Sequence, residues 1–299
     1  MNESAEFAVD KVRVRRAFDR AAADYDRVAI LQREVGGRLL ERLDYIRLQP
    51  EVMVDVGAGT GQLSRALARR YKQARVITLD IAPNMLRVAR RHAGPLLRLL
   101  HRQHFVCGDA ERLPLAGQSS EMILSNLTLQ WCSALDLVFS EFRRVLRAGG
   151  LVLFSTFGPD TLRELRNSWS AVDRAIHVGA FIDMHDIGDA LLRAGFNDPV
   201  MDAERFTLTY PDAYSLMRDL KALGAHNAAA GRPRSLTGKG RLEAMVKAYE
   251  AHRRDGVLPA TYEVVYGLAW APAAVNVRED GVVKVPLSTL RRAPGGRQS

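Results

Sequence analysis

The chain has 299 residues, 47% of them apolar, enough for a large core in one elaborated domain or in two. Its formal charge of +9 is compatible with an acidic partner, but the arginines are spread over helical segments and no nucleic-acid motif is present. There is no run of roughly 18–20 apolar residues, no secretory signal pattern, and no disulfide or metal pattern around Cys107 and Cys132. We therefore expect a cytoplasmic protein with two reduced core thiols that binds no nucleic acid, membrane or metal.

The first predicted elements lead into a glycine-rich turn. Residues 10–47 are predicted to be helical, because apolar and aromatic side chains recur there at helical spacing. The apolar run 52–56 is a predicted strand, and Gly57, Gly59 and Gly61 follow it before an amphipathic helix. Glycine is needed where the backbone bends sharply or where a ligand must approach without a Cβ in the way, and a helix start offers free N–H groups. The turn therefore predicts a nucleotide-like cofactor.

The spacing of the glycines indicates which cofactor binds. The dinucleotide fingerprint needs a small residue at the position of Gln62, whereas here the third glycine comes one residue earlier. The stretch from Asp55 to Gly61 resembles motif I of the class I S-adenosylmethionine (SAM) methyltransferases instead. This resemblance implies that SAM is the cofactor and that Asp55 and the three glycines belong to its site.

Strands and helices alternate up to residue 156. Further strands are predicted at about 75–79, 105–108, 121–126 and 151–156. Helices are predicted after the strands at 52–56, 75–79 and 121–126, and the last of these helices stops at Gly149 and Gly150. Nearly continuous apolar strands are typical of a parallel sheet covered on both faces. Ligands bind such sheets outside the carboxyl ends of the strands. The polar residues at or just beyond those ends are Asp55, Asp80, Asp109 and Asn126.

The resemblance gives roles to the residues at these strand ends. Asp80 would accept both ribose hydroxyls of the cofactor, and Ile81 and Met85 would flank its adenine. Asp109 and Ala110 match the family's adenine motif, in which the carboxylate accepts the exocyclic amine.

Asn126, at the end of the fourth strand, would lie under the methionine moiety and the reaction centre. Plainer interpretations stay open for these residues. Asp80 is also suited to capping the next helix, and Asp109 and Asn126 are also typical turn residues. Trp131 has two equal interpretations, as a core residue or as a wall of the substrate pocket.

Two more strands are predicted at 205–210 and 261–270. A plain methyltransferase fold has a short hairpin between them, so the segment at about 211–258 is predicted to be a helical insertion that acts as a lid or a substrate-binding element. The predicted fold is a Rossmann-like α/β domain over residues 1–270, with a seven-stranded, mostly parallel sheet and helices on both faces. Residues 271–299 are predicted to be a partly disordered tail.

Five segments outside the cofactor motifs narrow the family. They are residues 18–35, 125–132, 153–169, 220–232 and 258–267. Together they are similar to the malonyl-[acyl-carrier protein] O-methyltransferases of biotin synthesis. The resemblance implies methyl transfer from SAM to the free carboxylate of malonyl-[acyl-carrier protein], giving the methyl ester that primes pimeloyl synthesis. That carboxylate is ionised at neutral pH, so no general base is expected.

Three residues are assigned to substrate positioning. Tyr25 and Phe157 fall in family-like segments at the expected pocket, and Arg232 is chosen because a guanidinium fork suits a carboxylate. Core packing for the two aromatic residues and a surface charge for Arg232 are the alternatives. The acidic carrier protein is the expected partner. Its docking site is predicted on a basic surface around the insertion, formed by Lys221, Arg232, Arg234, Lys239 and Arg241.

Two other functions stay open. Methyltransferase-like assembly factors of respiratory complex I resemble 153–169 and 258–267 equally well, whereas 125–132 and 220–232 favour the biotin enzymes. The generic SAM motifs also permit a small-molecule methyltransferase of another pathway. A scaffold without activity is disfavoured, because every SAM-contact position is filled.

Overall fold

One seven-stranded sheet organises the protein. The computed structural model describes residues 9–94, 102–225 and 238–273. The strands are β1 Val52–Val56, β2 Arg75–Asp80, β3 Gln103–Cys107, β4 Ser120–Asn126, β5 Leu146–Phe157, β6 Asn197–Tyr210 and β7 Leu258–Trp270. They pair in the order β3-β2-β1-β4-β5-β7-β6. β1 to β5 run parallel, and β7 runs antiparallel to β5 and β6, which confirms the predicted mostly parallel sheet.

Helices cover both faces of this sheet. They are α1 Lys11–Ala21, α2 Tyr25–Val28, α3 Ile30–Arg42, α4 Gln62–Arg70, α5 Pro83–His92, α6 Leu135–Val145, α7 Arg163–Ser170, α8 Met184–Arg193, α9 Ala213–Ala222 and α10 Lys239–Glu250. Successive strand side chains point to opposite faces. Met53 of β1 packs in a cluster with α3, α4, α7, α9 and α10, whereas the next residue, Val54, packs in a cluster with α6 and α8. The strands are therefore apolar in continuous runs because both of their faces are buried.

The predicted helical insertion is packed onto the rest of the domain. Leu216 of α9 and Met245 and Tyr249 of α10 are buried in the core. The Tyr249 hydroxyl also donates to the Pro259 carbonyl oxygen of β7 at 2.9 Å. Residues 226–237, which make up most of the connector between α9 and α10, lie outside the described residues, as does most of the predicted tail.

Two predicted strand boundaries are wrong. β5 begins at Leu146, directly after α6, and not beyond the glycine pair. Gly149 has φ +73°, and a Cβ on Gly150 would lie 2.9 Å from the Arg147 carbonyl oxygen, so the glycines form an irregular stretch inside the strand instead of a helix stop. β6 begins at Asn197 instead of residue 205, because this edge strand pairs with β7 along a half-exposed, polar sequence without an apolar run.

The prediction of two core thiols is also wrong for Cys107. This residue ends β3 at the edge of the sheet and is exposed, whereas Cys132 is half-buried. In the part of the chain that the structure describes, no helix is long and apolar enough to cross a membrane. Among the same residues, His, Cys, Asp and Glu form no group of three that could hold a metal ion.

Candidate active site

A cleft opens at the carboxyl edge of the parallel strands, the edge at which ligands bind in such sheets. Its empty volume, including the part open to solvent, is about 860 Å³. The predicted site residues that line it are Tyr25, Gly57, Gly59, Asp80, Ile81, Met85, Asp109, Ala110, Asn126 and Phe157. Asp55 and Gly61 do not line the cleft, and Arg232 lies outside the described residues.

The glycines of the turn meet different requirements. Gly57 has φ +72°, and a Cβ there would come within 2.1 Å of Thr128 Oγ1. A Cβ on Gly61 would lie 2.9 Å from the Cβ of Ala89, so this glycine lets α4 approach α5 closely. Gly59 lines the cleft, and the nearest described atom to a Cβ built on it is Tyr25 Cε1 at 3.8 Å. Gly57 and Gly61 thus permit close packing, and Gly57 and Gly59 both line the cleft.

Asp80 is a carboxylate held in place by backbone N–H groups. Its Oδ2 accepts from Gly59 N–H and its Oδ1 accepts from Ala82 N–H, both at 2.8 Å. Burial raises the pKa of Asp80 to about 6, and these hydrogen bonds oppose the rise. The residue that precedes α5 as its N-cap is Ala82, so the interpretation of Asp80 as the cap is wrong. Asp80 is therefore a fixed acceptor at the edge of the cleft.

Asp55 lies beneath the glycine turn and joins β1 to α4. Its side chain is buried, and its Oδ2 accepts a hydrogen bond from the Ser64 hydroxyl at 2.5 Å. Burial raises the pKa of Asp55 to about 7, although the hydrogen bonds from Ser64 act in the opposite direction. Because Asp55 does not line the cleft, any role at the site is exerted through the position of the turn.

Replacement of Asp55 by Asn should reduce the pH dependence of the free energy of unfolding. The folded-state pKa of about 7 exceeds the ordinary 3.8, so this carboxyl group makes the protein less stable as the pH rises from about 4 to about 7. The difference between these two pKa values corresponds to a change of about 4 kcal/mol at most in the free energy of unfolding. Asn keeps an acceptor for the Ser64 hydroxyl and carries no charge.

Urea unfolding at about pH 5 and about pH 8 measures this effect. The free energy of unfolding of Asp55→Asn minus that of the unsubstituted protein should be larger at about pH 8 than at about pH 5. Asp189→Asn, at an exposed position of α8, is the matched control and should leave the pH dependence unchanged. If the free energy of unfolding depends on pH in the same way in both proteins, Asp55 does not have a raised pKa in the folded state.

Helix α1 closes one side of the cleft. At its start, Lys11 Nζ lies 2.5 Å from Asp109 Oδ1 and 3.0 Å from a carboxylate oxygen of Glu111. Towards its end, Asp19 accepts from the Asn84 N–H of α5 at 2.8 Å. The Glu111 N–H also donates to Asp109 Oδ1, so both described hydrogen bonds to this carboxylate fall on one oxygen. Asp109 thus fixes α1 as well as lining the cleft.

Asn126 attaches α3 to the sheet. Its Nδ2 donates to the Gln32 carbonyl oxygen at 2.9 Å, and its Oδ1 accepts from the Ser155 hydroxyl at 2.8 Å. The next residue, Leu127, has φ +48°, a strained conformation for a residue with a side chain. Gln32 also lines the cleft, and its Oε1 is buried without a hydrogen-bond partner among the described residues. Such an oxygen is usually satisfied in the functional state, so a ligand with a donor group fits beside it.

Aromatic rings form much of the remaining wall. Phe18 meets Tyr25 and Trp131 edge to face, with ring centroids 6.4 Å and 5.4 Å apart. The structure thus places Trp131 in the cleft wall. Phe157, at the end of β5, has its ring centroid 5.7 Å from that of Tyr262. Burial holds the pKa of Tyr25 far above its ordinary value, so its hydroxyl stays protonated and is a hydrogen-bond donor.

Several lining residues were missed by the sequence analysis. They are Lys11, Phe18, Gln32, Thr128, Gln130, Leu223 and Ala225. The motif after β4, which contains Thr128 and Gln130, was singled out for its resemblance and offered a signal for both. Lys11 and Gln32 reach the cleft only because α1 and α3 fold back over the sheet. Leu223 and Ala225 follow α9 and bring the insertion to the cleft, in keeping with its predicted place at the ligand edge.

The residues of the cleft fit a SAM molecule. The fixed carboxylate of Asp80 suits a pair of hydroxyl groups, and the open backbone at Gly59 lets a ligand approach closely. Ile81 and Met85 offer apolar contact to a flat base. The unpaired Gln32 Oε1 suits a donor such as an ammonium group.

Comparison with known proteins assigns the chain to a family. A family model described as a methyltransferase domain matches residues 54–154. A relative from Methylovorus sp., named malonyl-[acyl-carrier protein] O-methyltransferase, is 54% identical over 93% of this chain and 95% of its own length. The chain belongs to the malonyl-[acyl-carrier protein] O-methyltransferase family. Relatives of the same name from Laribacter hongkongensis and Gallionella capsiferriformans are 55% and 52% identical, over 90% and 95% of this chain and 92% and 98% of their own.

Solved structures show the same fold at low sequence identity. The YcgJ protein of Bacillus subtilis superimposes with a TM-score of 0.55 at 13% identity, covering 79% of this chain and 98% of YcgJ. A SAM-dependent methyltransferase of Thermotoga maritima gives a TM-score of 0.51 at 16% identity and covers 86% of this chain and 99% of its own. The family and its methyltransferase domain confirm the predicted enzyme class and cofactor: this family member is a SAM-dependent methyltransferase.

Proposed function

We propose that this protein transfers the methyl group of SAM to the free carboxylate of malonyl-[acyl-carrier protein], forming the methyl ester that primes pimeloyl synthesis for biotin. The relatives that carry the corresponding name align with nearly all of the chain. The site observation that supports the proposal most is the position of Tyr25, a protonated donor beside Gly59 in the cleft. A neutral hydroxyl can orient a carboxylate without neutralising the charge that makes it a nucleophile.

The cofactor would be held along the carboxyl edge of β1 to β4. Asp80 would accept its ribose hydroxyls, Ile81 and Met85 would flank its adenine, and Asp109 and Ala110 would face the adenine edge. The other proposed contacts and supports are Asp55, Gly57, Gly59, Gly61 and Asn126. When bound, SAM supplies an electrophilic methyl group on a sulfonium sulfur.

The protein needs no general base for this reaction. A free carboxylic acid is already ionised at neutral pH, and none of the described residues that line the cleft is a histidine. Burial raises the pKa of Cys132 to about 12, so its thiol stays protonated and is not a nucleophile. What remains for the protein is to orient the reactants and exclude water. Tyr25, Trp131 and Phe157, together with α1, line the cleft and would do this.

Tyr25→Phe should lower kcat/KM for malonyl-[acyl-carrier protein] by about 10–100-fold, because it removes one hydrogen bond to a charged acceptor. The affinity for SAM should change by less than about twofold, since the aromatic ring stays. Steady-state kinetics and calorimetric SAM titration measure the two effects. Tyr45→Phe is the matched control, because Tyr45 is 91% exposed. Unaltered malonyl turnover in Tyr25→Phe would remove this residue from the site.

The carrier protein would dock on the basic surface around the insertion. Lys221, Lys239 and Arg241 are its described members, and the side chains of Lys239 and Arg241 are 90% and 65% exposed. Arg232 and Arg234 lie outside the described residues. Attraction between exposed charges acts over about 10 Å at moderate salt and is screened as salt rises. The acidic partner should therefore bind best at low ionic strength.

Reversing two charges of this surface tests the docking site. Lys239→Glu combined with Arg241→Glu should raise KM for malonyl-[acyl-carrier protein] at least ~10-fold at low salt and leave kcat unchanged. Its KM should also depend less on salt than that of the unsubstituted protein. Lys72→Glu is the control, because Lys72 is exposed and lies between α4 and the start of β2, at the amino ends of the parallel strands. Equal KM values for both variants would place the docking site elsewhere.

The acceptor itself is tested by offering two carrier-protein thioesters. With SAM, malonyl-[acyl-carrier protein] should gain one methyl group on its acyl chain, detected by mass spectrometry. Acetyl-[acyl-carrier protein] has no free carboxylate and should gain none. Methylation of a protein side chain in place of the malonyl group would favour the assembly-factor alternative. The carrier protein as partner and a cytoplasmic location belong to the same proposal.

A further inference from the structure

A second groove adjoins the cleft where Phe157 meets Phe181. Its lining comes from the loop after β5, from α7 and from the segment that joins α7 to α8. The lining residues are Pro159, Arg166, Trp169, Ser170 and 175–181, and we call it the 175–181 groove. Phe157 lines the cleft, Phe181 lines the groove, and their ring centroids are 5.7 Å apart. The cleft and the groove therefore share one aromatic wall.

The 175–181 groove is held in shape by interactions of its own segment. The His177 ring stacks on Trp169 with centroids 3.7 Å apart and planes 8° apart. His177 Nε2 lies 2.8 Å from Asp173 Oδ1, and the same oxygen accepts from the Ala175 N–H at 3.0 Å. These contacts within the protein hold the groove in shape, which lowers the entropy cost of filling it.

Arg166 adds hydrogen-bond donors to an otherwise largely apolar lining. Its Nη1 donates to the Pro159 carbonyl oxygen at 2.8 Å and its Nη2 donates to that of Thr161 at 3.0 Å. Among the described residues, no carboxylate lies within 4 Å of its guanidinium, because nearby Asp160 pairs with Arg205 and Arg163. A guanidinium has five N–H donors, so some remain for a ligand that carries acceptor oxygens.

The other side of the groove segment meets the basic surface. Arg241, at the start of α10, has its Nη1 3.8 Å from Asp173 Oδ2. The other carboxylate oxygen of Asp173 contacts His177 Nε2. The 175–181 groove therefore lies between the proposed docking surface and the aromatic wall of the cleft. A substrate attached to a docked carrier protein has to reach from the docking surface to the cleft.

We propose that the 175–181 groove holds the pantetheine arm of the acyl-carrier protein while the malonyl group is in the cleft. This proposal rests on the proposed function. The arm is an extended chain in which methylene groups alternate with amides. Trp169, Val178 and Phe181 offer apolar contact to the methylenes, and the free N–H groups of Arg166 donate to the amide oxygens. Phe157 and Phe181 guide the thioester end from the groove into the cleft.

Filling the groove tests the proposal. Gly179 lines it, and a Cβ there meets no described atom within 4 Å, so Gly179→Trp adds bulk without a backbone clash. We expect kcat/KM for malonyl-[acyl-carrier protein] to fall at least ~10-fold, mostly through KM. The S-methyl thioester of malonate has the same carboxylate and thioester but no arm, and its kcat/KM should stay within about twofold. Gly37→Trp, also at a glycine with open space, is the control and should change neither value.

A binding experiment without turnover gives a second readout. Holo-carrier protein, which has the arm, should bind the unsubstituted enzyme more tightly than apo-carrier protein, which lacks it. In Gly179→Trp the two forms should bind equally, and the affinity for the apo form should be that of the unsubstituted enzyme.

Three results would overturn the groove proposal. The first is an equal loss of activity towards both thioesters, the second is no loss towards either, and the third is equal binding of holo- and apo-carrier protein by the unsubstituted enzyme. Each leaves the proposed function standing if the unsubstituted enzyme methylates malonyl-[acyl-carrier protein]. If it does not, the proposed function fails, and the groove loses its assigned occupant with it.

Discussion

Gly57→Ala is expected to weaken SAM binding at least ~100-fold, a change of about 2.7 kcal/mol. A Cβ at this position would lie 2.1 Å from Oγ1 and 2.3 Å from Cγ2 of Thr128, far inside van der Waals contact. The positive φ of +72° is itself unfavourable by about 1–2 kcal/mol for a residue with a side chain. The Gly57 N–H donates to the Leu79 carbonyl oxygen at 2.8 Å, so a shift of the turn would also disturb the end of β2.

Calorimetric SAM titration and urea unfolding together measure this effect. Gly57→Ala should also lower the free energy of unfolding by about 1–3 kcal/mol. Adding Thr128→Gly removes the clashing side chain, so the double variant should regain part of this stability while the backbone strain remains. Gly37→Ala is the matched control, because Gly37 has open space around a Cβ and no positive φ. Normal SAM affinity in Gly57→Ala would mean that the glycine turn is not the cofactor site.

Asp80→Asn is expected to reduce SAM affinity at least ~100-fold, because the ionised carboxylate that would accept two ribose hydroxyls is lost. Each charge-assisted hydrogen bond contributes about 1.5–3 kcal/mol. Asn has the same shape and keeps one acceptor oxygen for a backbone N–H. The fold should therefore persist, although one of the hydrogen bonds from Gly59 N–H and Ala82 N–H is lost, because the NH₂ group of Asn cannot accept it.

The pH dependence of SAM binding shows whether the charge of the Asp80 carboxylate, and not only its shape, contributes to the affinity. Since burial raises the pKa of Asp80 to about 6, the carboxyl group of the free protein is protonated below that pH and ionised above it. SAM affinity should fall as the pH drops below about 6 in the unsubstituted protein, and this dependence should be absent from Asp80→Asn. Asp189→Asn, exposed on α8, should behave like the unsubstituted protein. A pH dependence that survives in Asp80→Asn would assign it to another group.

The cofactor side of the site was predictable from the sequence because it is local. The strand, the glycine turn and the helix that follow one another at 52–70 form a single structural unit. Asp80 and Asn126 could be added because the carboxyl ends of parallel strands meet at one edge. Their detailed contacts were not foreseen: Asp80 is held by Gly59 N–H, and Asn126 is engaged by Gln32 and Ser155.

The substrate side was less predictable because it depends on distant segments. Lys11 and Gln32 reach the cleft only through the way in which α1 and α3 pack on the sheet. The alternation of strands and helices does not predict the 175–181 groove, because the groove forms only when α7 and the segment that joins it to α8 pack together. The strand β6 was predicted too short because its edge position leaves it with polar residues on its exposed side. The prediction for Arg232 stays a prediction, since it lies outside the described residues.

The most direct measurement of the central claim follows the methyl group. Purified protein is incubated with methyl-labelled SAM and malonyl-[acyl-carrier protein], and the labelled product is then treated with alkali. A carboxyl methyl ester releases its label as volatile methanol, whereas a methyl group on nitrogen or carbon stays bound. We expect the label on the malonyl group, released by alkali, and much slower transfer by Gly57→Ala at the same SAM concentration. Intact SAM binding without transfer, or label that resists alkali, would contradict the account.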